Sequence, residues 1–176
     1  TEWAEANAEQ LARNAIAYIN VDAAVAGKDL RASGCHSLRD ALAEAMAEVP
    51  SPDGGRSLFD AAKGKAWAEG KSDWARHNRE RRWRGEPERP FEFDVTPLGS
   101  GSDYTAFIDH LGVPSLDMRF EGLHGTYHSM YDDFEFLTRV IDPGLHYHAA
   151  MVDLWGRMTM RLAEAEALPF RYSNTA

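Results

Sequence analysis

Ala15-Ile16-Ala17-Tyr18-Ile19-Asn20-Val21-Asp22 is short, mostly apolar and carries β-branched and aromatic residues. A run of this length and composition predicts a strand buried on both faces, as in a parallel sheet. Before it, residues 1–14 predict an amphipathic helix, with Trp3, Leu11 and Ala15 spaced for one face. Thr1 is placed to cap that helix, and Glu2 and Glu5 suit its positive N-terminal end. After it, residues 23–36 read as a loop with a short extended piece at Leu30–Ala32. Ser37-Leu38-Arg39-Asp40 then opens a helix whose apolar stripe is Leu38, Leu42, Met46 and Val49. Pro50 to Gly55 is a turn cluster, followed by a short helix with Ser57 and Asp60 as its capping pair.

Residues 71–90 are highly charged. Arg76 to Arg84 could form an anionic-ligand or nucleic-acid patch, but Glu80, Glu86 and Glu88 interrupt the positive charge, so a solvated surface segment is the favoured reading. Beyond it, the sequence predicts a helix over 102–111, a strand over Val113–Phe120, and a loop rich in Gly, His and Tyr from Glu121 to Tyr131. Asp132 with Glu135 then starts another helix. A last long helix begins at Asp142-Pro143 and runs to about Ala165. Strands alternating with helices imply an α/β fold with two or three evident strands, few for a complete doubly wound sheet.

Bulk properties narrow the function classes. The 176 residues suffice for one domain with its own core. A net charge of −9 argues against nucleic acid as the main partner. No stretch approaches the roughly 20 apolar residues of a membrane helix. The single Cys35 excludes a disulfide within one chain and leaves the compartment open.

Three places could carry chemistry. Asp22 ends the first strand, where α/β proteins place their sites, as a metal ligand or, more simply, a turn cap. His128 lies in the loop Leu123-His124-Gly125-Thr126-Tyr127-His128-Ser129-Met130-Tyr131, either as a zinc ligand or as a structural imidazole packed on Tyr127 and Tyr131. Leu98-Gly99-Ser100-Gly101-Ser102-Asp103-Tyr104 lets backbone pass close to a ligand, or is a Gly-rich cap. His146 and His148 sit two apart on the last helix and point to different faces. His77 and His110 read as ordinary surface or capping residues.

Taken in order, Tyr18-Ile19-Asn20-Val21-Asp22, the Leu98–Tyr104 segment and Tyr127-His128-Ser129-Met130-Tyr131-Asp132 resemble the C-terminal motifs of zinc peptidases related to glutamate carboxypeptidase II. Thr1 to Glu5 resembles the helix that follows that family's catalytic Glu-Glu pair. The stretch from Ile141 to Phe170 resembles its helix leading into a dimerisation domain. The resemblance implies an incomplete three-layer zinc-exopeptidase fold, with residues 1–140 in the peptidase domain and 141–176 leading toward the dimerisation domain. It implies that Asp22 binds one of two zinc ions, His128 binds the other, and the Tyr127 hydroxyl stabilises the oxyanion. It also implies that Gly99, Ser100, Gly101 and Ser102 line a peptide-substrate cleft and that Arg119 belongs to a patch holding acidic side chains. The Arg usual two residues before Arg119 is Asp117 here, which counts against poly-acidic substrates. The family's remaining ligands and its Glu general base lie before Thr1. The resemblance therefore predicts a chain inactive by itself, associating with itself or with the missing half, and hints at an extracytoplasmic setting. A non-catalytic relative such as the transferrin receptor is the alternative.

Overall fold

The computed structural model describes residues 2–175. Four strands form one mixed sheet in the order β1-β4-β2-β3: β1 (Tyr18–Asn20), β2 (Asp29–Gly34), β3 (Val95–Thr96) and β4 (Ser115–Glu121). Strands β1 and β4 run parallel, with Asn20 opposite Asp117. Strands β2 and β4 run antiparallel, with Leu30 opposite Phe120 and Ser33 opposite Asp117. Strand β3 runs parallel to β2. The fold is the α/β class read from the sequence.

Side chains alternate across a strand, so this register sorts them by face. Ile19, Leu30, Ala32, Leu116, Met118 and Phe120 share the face that builds the core. Helices α3 (Arg39–Glu48) and α7 (His146–Ala163) cover it with Leu42, Ala45, Met46, Met151, Leu154 and Met158. Tyr18, Asn20, Arg31, Ser33, Asp117, Arg119 and Glu121 lie on the other face, which is polar. The first strand therefore departs from the expectation of burial on both faces. It is only three residues long, stands at the sheet edge, and is fully buried only at Asn20.

Other departures have local causes. The predicted N-terminal helix is two pieces, α1 (Glu2–Ala6) and α2 (Ala8–Asn14), parted at Asn7, with Ala4 buried and Trp3 exposed. The Thr1 cap lies outside the described residues. Strand β2 lengthens the short extended piece expected at Leu30–Ala32 within a stretch otherwise read as loop. Ala32 and Gly34 are too small to announce a full strand, and pairing along β4 defines its length. Helix α4 (Leu58–Glu69) starts at the expected pair: the Ser57 hydroxyl accepts from the Asp60 N–H at 3.1 Å and donates to its carboxylate at 3.1 Å. The charged stretch contains a full helix, α5 (Asp73–Trp83), capped by Ser72. Near its middle, Asn78 is fully buried and clamps the extended segment that follows. Its Nδ2 donates to Arg89 O at 3.0 Å, and Arg89 N–H donates to its Oδ1 at 2.7 Å. Asn78→Ala strands that N–H, and should cost about 1–3 kcal/mol in urea unfolding while sharpening proteolysis between residues 84 and 94.

A Gly-rich passage at 98–103 leads into a π-helical stretch, Ala106–His110, and Phe107 stacks on Tyr18 at 4.0 Å. The cap before α6 (Phe134–Phe136) is Asp133 rather than Asp132. Helix α7 begins at His146, later than the Asp142-Pro143 signal, because Gly144 and Leu145 both take left-handed backbone and turn the chain first. Asp142 still caps it from a buried position. It accepts from Tyr147 N–H at 3.2 Å, His148 N–H at 2.9 Å and His148 Nδ1 at 2.8 Å. Burial alone would raise the Asp142 pKa, but these bonds hold it below the usual carboxylate range. A carboxyl depressed in the folded state stabilises above its unfolded pKa, and that stability is lost as pH falls through the folded value. Melting temperatures taken from about pH 5 down to about pH 2 should therefore drop less steeply for Asp142→Asn than for the unmodified chain.

Candidate functional site

A chain of hydrogen bonds starts on the polar face of β1 and ends at Asp22. Tyr18 Oη donates to Asn20 Oδ1 at 3.2 Å. Asn20 Nδ2 donates to Ser102 Oγ at 3.2 Å and to Asp117 Oδ1 at 2.7 Å. Ser102 Oγ then donates to Asp22 Oδ2 at 2.8 Å. Every donor in this series points the same way, so the exposed Asp22 carboxylate is its terminal acceptor, with no partner on Oδ1 among the described residues. Asn20 and Asp117 are buried, and their pairing satisfies both. Burial raises the Asp117 carboxyl above its ordinary pKa against the opposing pull of Asn20 and Arg119. Burial likewise raises the Tyr18 phenol, reinforced by Asp103, Asp117 and Asp22.

Asp22 and Ser102 open onto a cleft of about 710 Å³ between β1, Gly101–Asp103 and the α7 residues His148, Met151 and Trp155. Gly99 and Ser100 are exposed just before it. The Arg119 guanidinium is committed to the chain's own carboxylates: it donates to Glu121 at 2.8 and 2.6 Å and reaches Asp117 at 3.4 Å. The Glu121 bonds raise its pKa further.

Since β1 and β4 are parallel, the segment holding Asp22 and the loop holding Tyr127 and His128 leave the same sheet edge. Their roots cross in contact. A Cβ on Gly122 would stand 2.7 Å from the Gly27 Cα, so both positions need glycine for the crossing. His124 fastens the crossing, with Nε2 on Ala26 O and Nδ1 3.2 Å from Thr126 Oγ1. Farther along, Tyr127 and His128 stack at 3.8 Å, both exposed, and His128 holds a left-handed φ of 59°. No hydrogen bond or ion pair joins His128 to Asp22 among the described residues. No three His, Cys, Asp or Glu side chains among them form a metal-binding group.

Of the residues singled out in the sequence, the structure links Asp22 directly to Ser102. Sequence reasoning missed Asn20, Asp117 and His124 as builders of the site. The polar alternation Tyr18-Asn20-Asp22 and Asp117-Arg119-Glu121 was the available signal for the first two.

No family model matches the chain. Curated relatives do match it end to end. It is 36% identical to a probable glutamate carboxypeptidase of Arabidopsis thaliana, over 100% of this chain and 23% of that protein. It is 33% identical to a probable glutamate carboxypeptidase of Arthroderma benhamiae, over 99% of this chain and 22% of that protein. It is 29% identical to the aminopeptidase NAALADL1 of Mus musculus, over 99% of this chain and 23% of that protein. The chain thus spans under a quarter of the length of these relatives. Its whole-length likeness to them and its mixed α/β sheet agree, and the chain belongs to the glutamate carboxypeptidase-like family.

Proposed function

We propose that the protein carrying this chain is a zinc exopeptidase, of carboxypeptidase or aminopeptidase type, and that these residues form one side of its active site. The observation that carries the reading is the hydrogen-bond series ending on Asp22, at the edge from which the Tyr127–His128 loop also departs. Asp22 supplies a carboxylate oxygen already oriented by Ser102, and His128 supplies an imidazole. Both are donor types that zinc accepts. Two donors do not close a zinc site, so its other ligands and a general base come from elsewhere in the protein, and these 176 residues alone do not hydrolyse peptides. Bound zinc would polarise the scissile carbonyl and acidify water.

The chain's own residues do the rest. Ser102 fixes the Asp22 carboxylate, and Gly99 to Gly101 let an extended peptide pass close to the backbone. The Tyr127 hydroxyl donates to the oxygen that gains charge as the carbonyl carbon is attacked. Arg119 is neutralised by Glu121 and Asp117, so acidic side chains are not the favoured substrates. Among the described residues strand β1 has β4 as its one neighbour, and its free edge pairs with further chain or with a second copy.

The test uses the whole protein. Chelation should abolish peptide hydrolysis, and zinc should restore it. Tyr127→Phe should retain metal while losing about 10²–10³ in kcat. Hydrolysis that survives complete demetallation would refute the proposal.

A further inference from the structure

A second cavity, of about 910 Å³, opens between α4, β2, the 91–94 segment and Tyr147. It shares no lining residue with the cleft beside Asp22. One wall is aromatic: Trp74 and Phe91 meet edge to face with centroids 4.9 Å apart. Most charge on the walls is already paired. Lys65 faces Asp29 and lies 3.5 Å from Glu69. Lys28 lies 3.9 Å from Asp53, which also accepts from Tyr147 Oη at 2.8 Å. Glu92 is held by Arg39 at 3.0 Å, and Arg31 lies 3.7 Å from Glu121. Asp94 is the one lining carboxylate without an ion-pair partner among the described residues. Two lining cations, Arg56 and Lys71, also lack an acid partner among them. Lys65 serves two carboxylates, so the charged side chains of the walls balance as a whole, and the unpaired positive charge is local to Arg56 and Lys71.

Gly64 adds an independent observation. Glycine in the middle of a helix weakens it relative to alanine. In α4 a Cβ on Gly64 would stand 2.9 Å from Arg56 Nη1, so the missing side chain is the space over which the guanidinium lies. An exposed guanidinium with no acid partner among the described residues thus lies over Gly64, at a cavity that Trp74 and Phe91 also line.

We propose that this cavity binds a small molecule with an apolar body and one anionic group, the anion held by the Arg56 guanidinium. A guanidinium matches carboxylate and phosphate alike through two parallel N–H donors, and Trp74 with Phe91 receives the body. Lys71 adds a second positive charge to the same cavity.

Isothermal titration of the whole protein that carries this chain with 4-phenylbutyrate, phenyl phosphate and 4-phenyl-1-butanol tests the assignment. One anion or both should bind at one site at least about tenfold tighter than the alcohol. The tighter of the two anions identifies the source as carboxylate or phosphate. Arg56→Ala should bring the anions down to the affinity of the alcohol. Arg84→Ala, an exposed arginine without an acid partner among the described residues and not lining the cavity, should change nothing. Gly64→Ala should raise the melting temperature yet weaken the anions, which separates loss of the seat from loss of the fold. Equal binding of alcohol and anions overturns the proposal. So does the absence of anion binding at millimolar concentration, unchanged affinity in Arg56→Ala or Gly64→Ala, or an equal loss in Arg84→Ala.

Discussion

Asp22→Ala and His128→Ala, made singly in the protein that carries this chain, should each bring peptide hydrolysis below detection. The expected loss exceeds the ~10–100-fold typical of removing a partner behind a metal ligand, because each change removes a donor the metal itself would use. The fold should be nearly untouched. Asp22 is exposed, and the one side-chain bond it gives up comes from Ser102. His128 is exposed, and its ring stacks on Tyr127. Surface changes of this kind usually shift stability by about 0.5 kcal/mol or less. Metal content should fall in both variants, whereas in Tyr127→Phe it should not. Full metal content with lost activity in Asp22→Ala would mean that this carboxylate serves the reaction in some other way.

Phe120→Ala should destabilise the fold by about 3–5 kcal/mol in urea unfolding, the largest stability effect expected here. Phe120 is 1% exposed on β4, a strand with neighbours on both sides, and it meets the Tyr147 ring edge to face at 5.1 Å. It therefore ties the sheet to helix α7, and its loss leaves a hole between two layers. A domain stable by about 5–15 kcal/mol would keep little in reserve after such a change. Trp83→Ala removes a larger ring but one that is 88% exposed, and it should leave the unfolding midpoint almost where it was. Similar midpoints for the two variants would show that β4 and α7 are not packed as described.

What the sequence disclosed follows from what each signal measures. Long apolar stripes were readable: Leu38, Leu42 and Met46 mark α3, and Val113 to Phe120 marks β4. Strand β2 was readable only as the short piece Leu30–Ala32, because Gly34 looks like a loop residue until a neighbour pairs with it. Helix α5 was hidden by its charge. A helix held by caps and by one buried Asn78 shows little apolar period. At the site, Asp22 and Ser102 were readable one by one, but nothing local shows that residues 80 apart share a hydrogen bond. Asn20 and Asp117 were harder still, since a buried polar pair on a strand looks in sequence like any surface alternation. Arg119 shows the reverse problem: the resemblance placed it in a patch holding acidic side chains, whereas on β4 its own i±2 neighbours Asp117 and Glu121 engage it.

The crossing of Gly27 and Gly122 bears on how the site moves. Two backbones in contact, pinned by His124 on Ala26 O, cannot act as a hinge. Any swing of the Tyr127–His128 loop must pivot beyond His124, so its lever arm is short and its excursions are those of a loop tip. The Asp22 segment stays at rest meanwhile. Excursions of the Tyr127–His128 tip would then be set by a few residues around Gly125, on the nanosecond-to-microsecond scale of loop motion rather than the slower scale of domain closure.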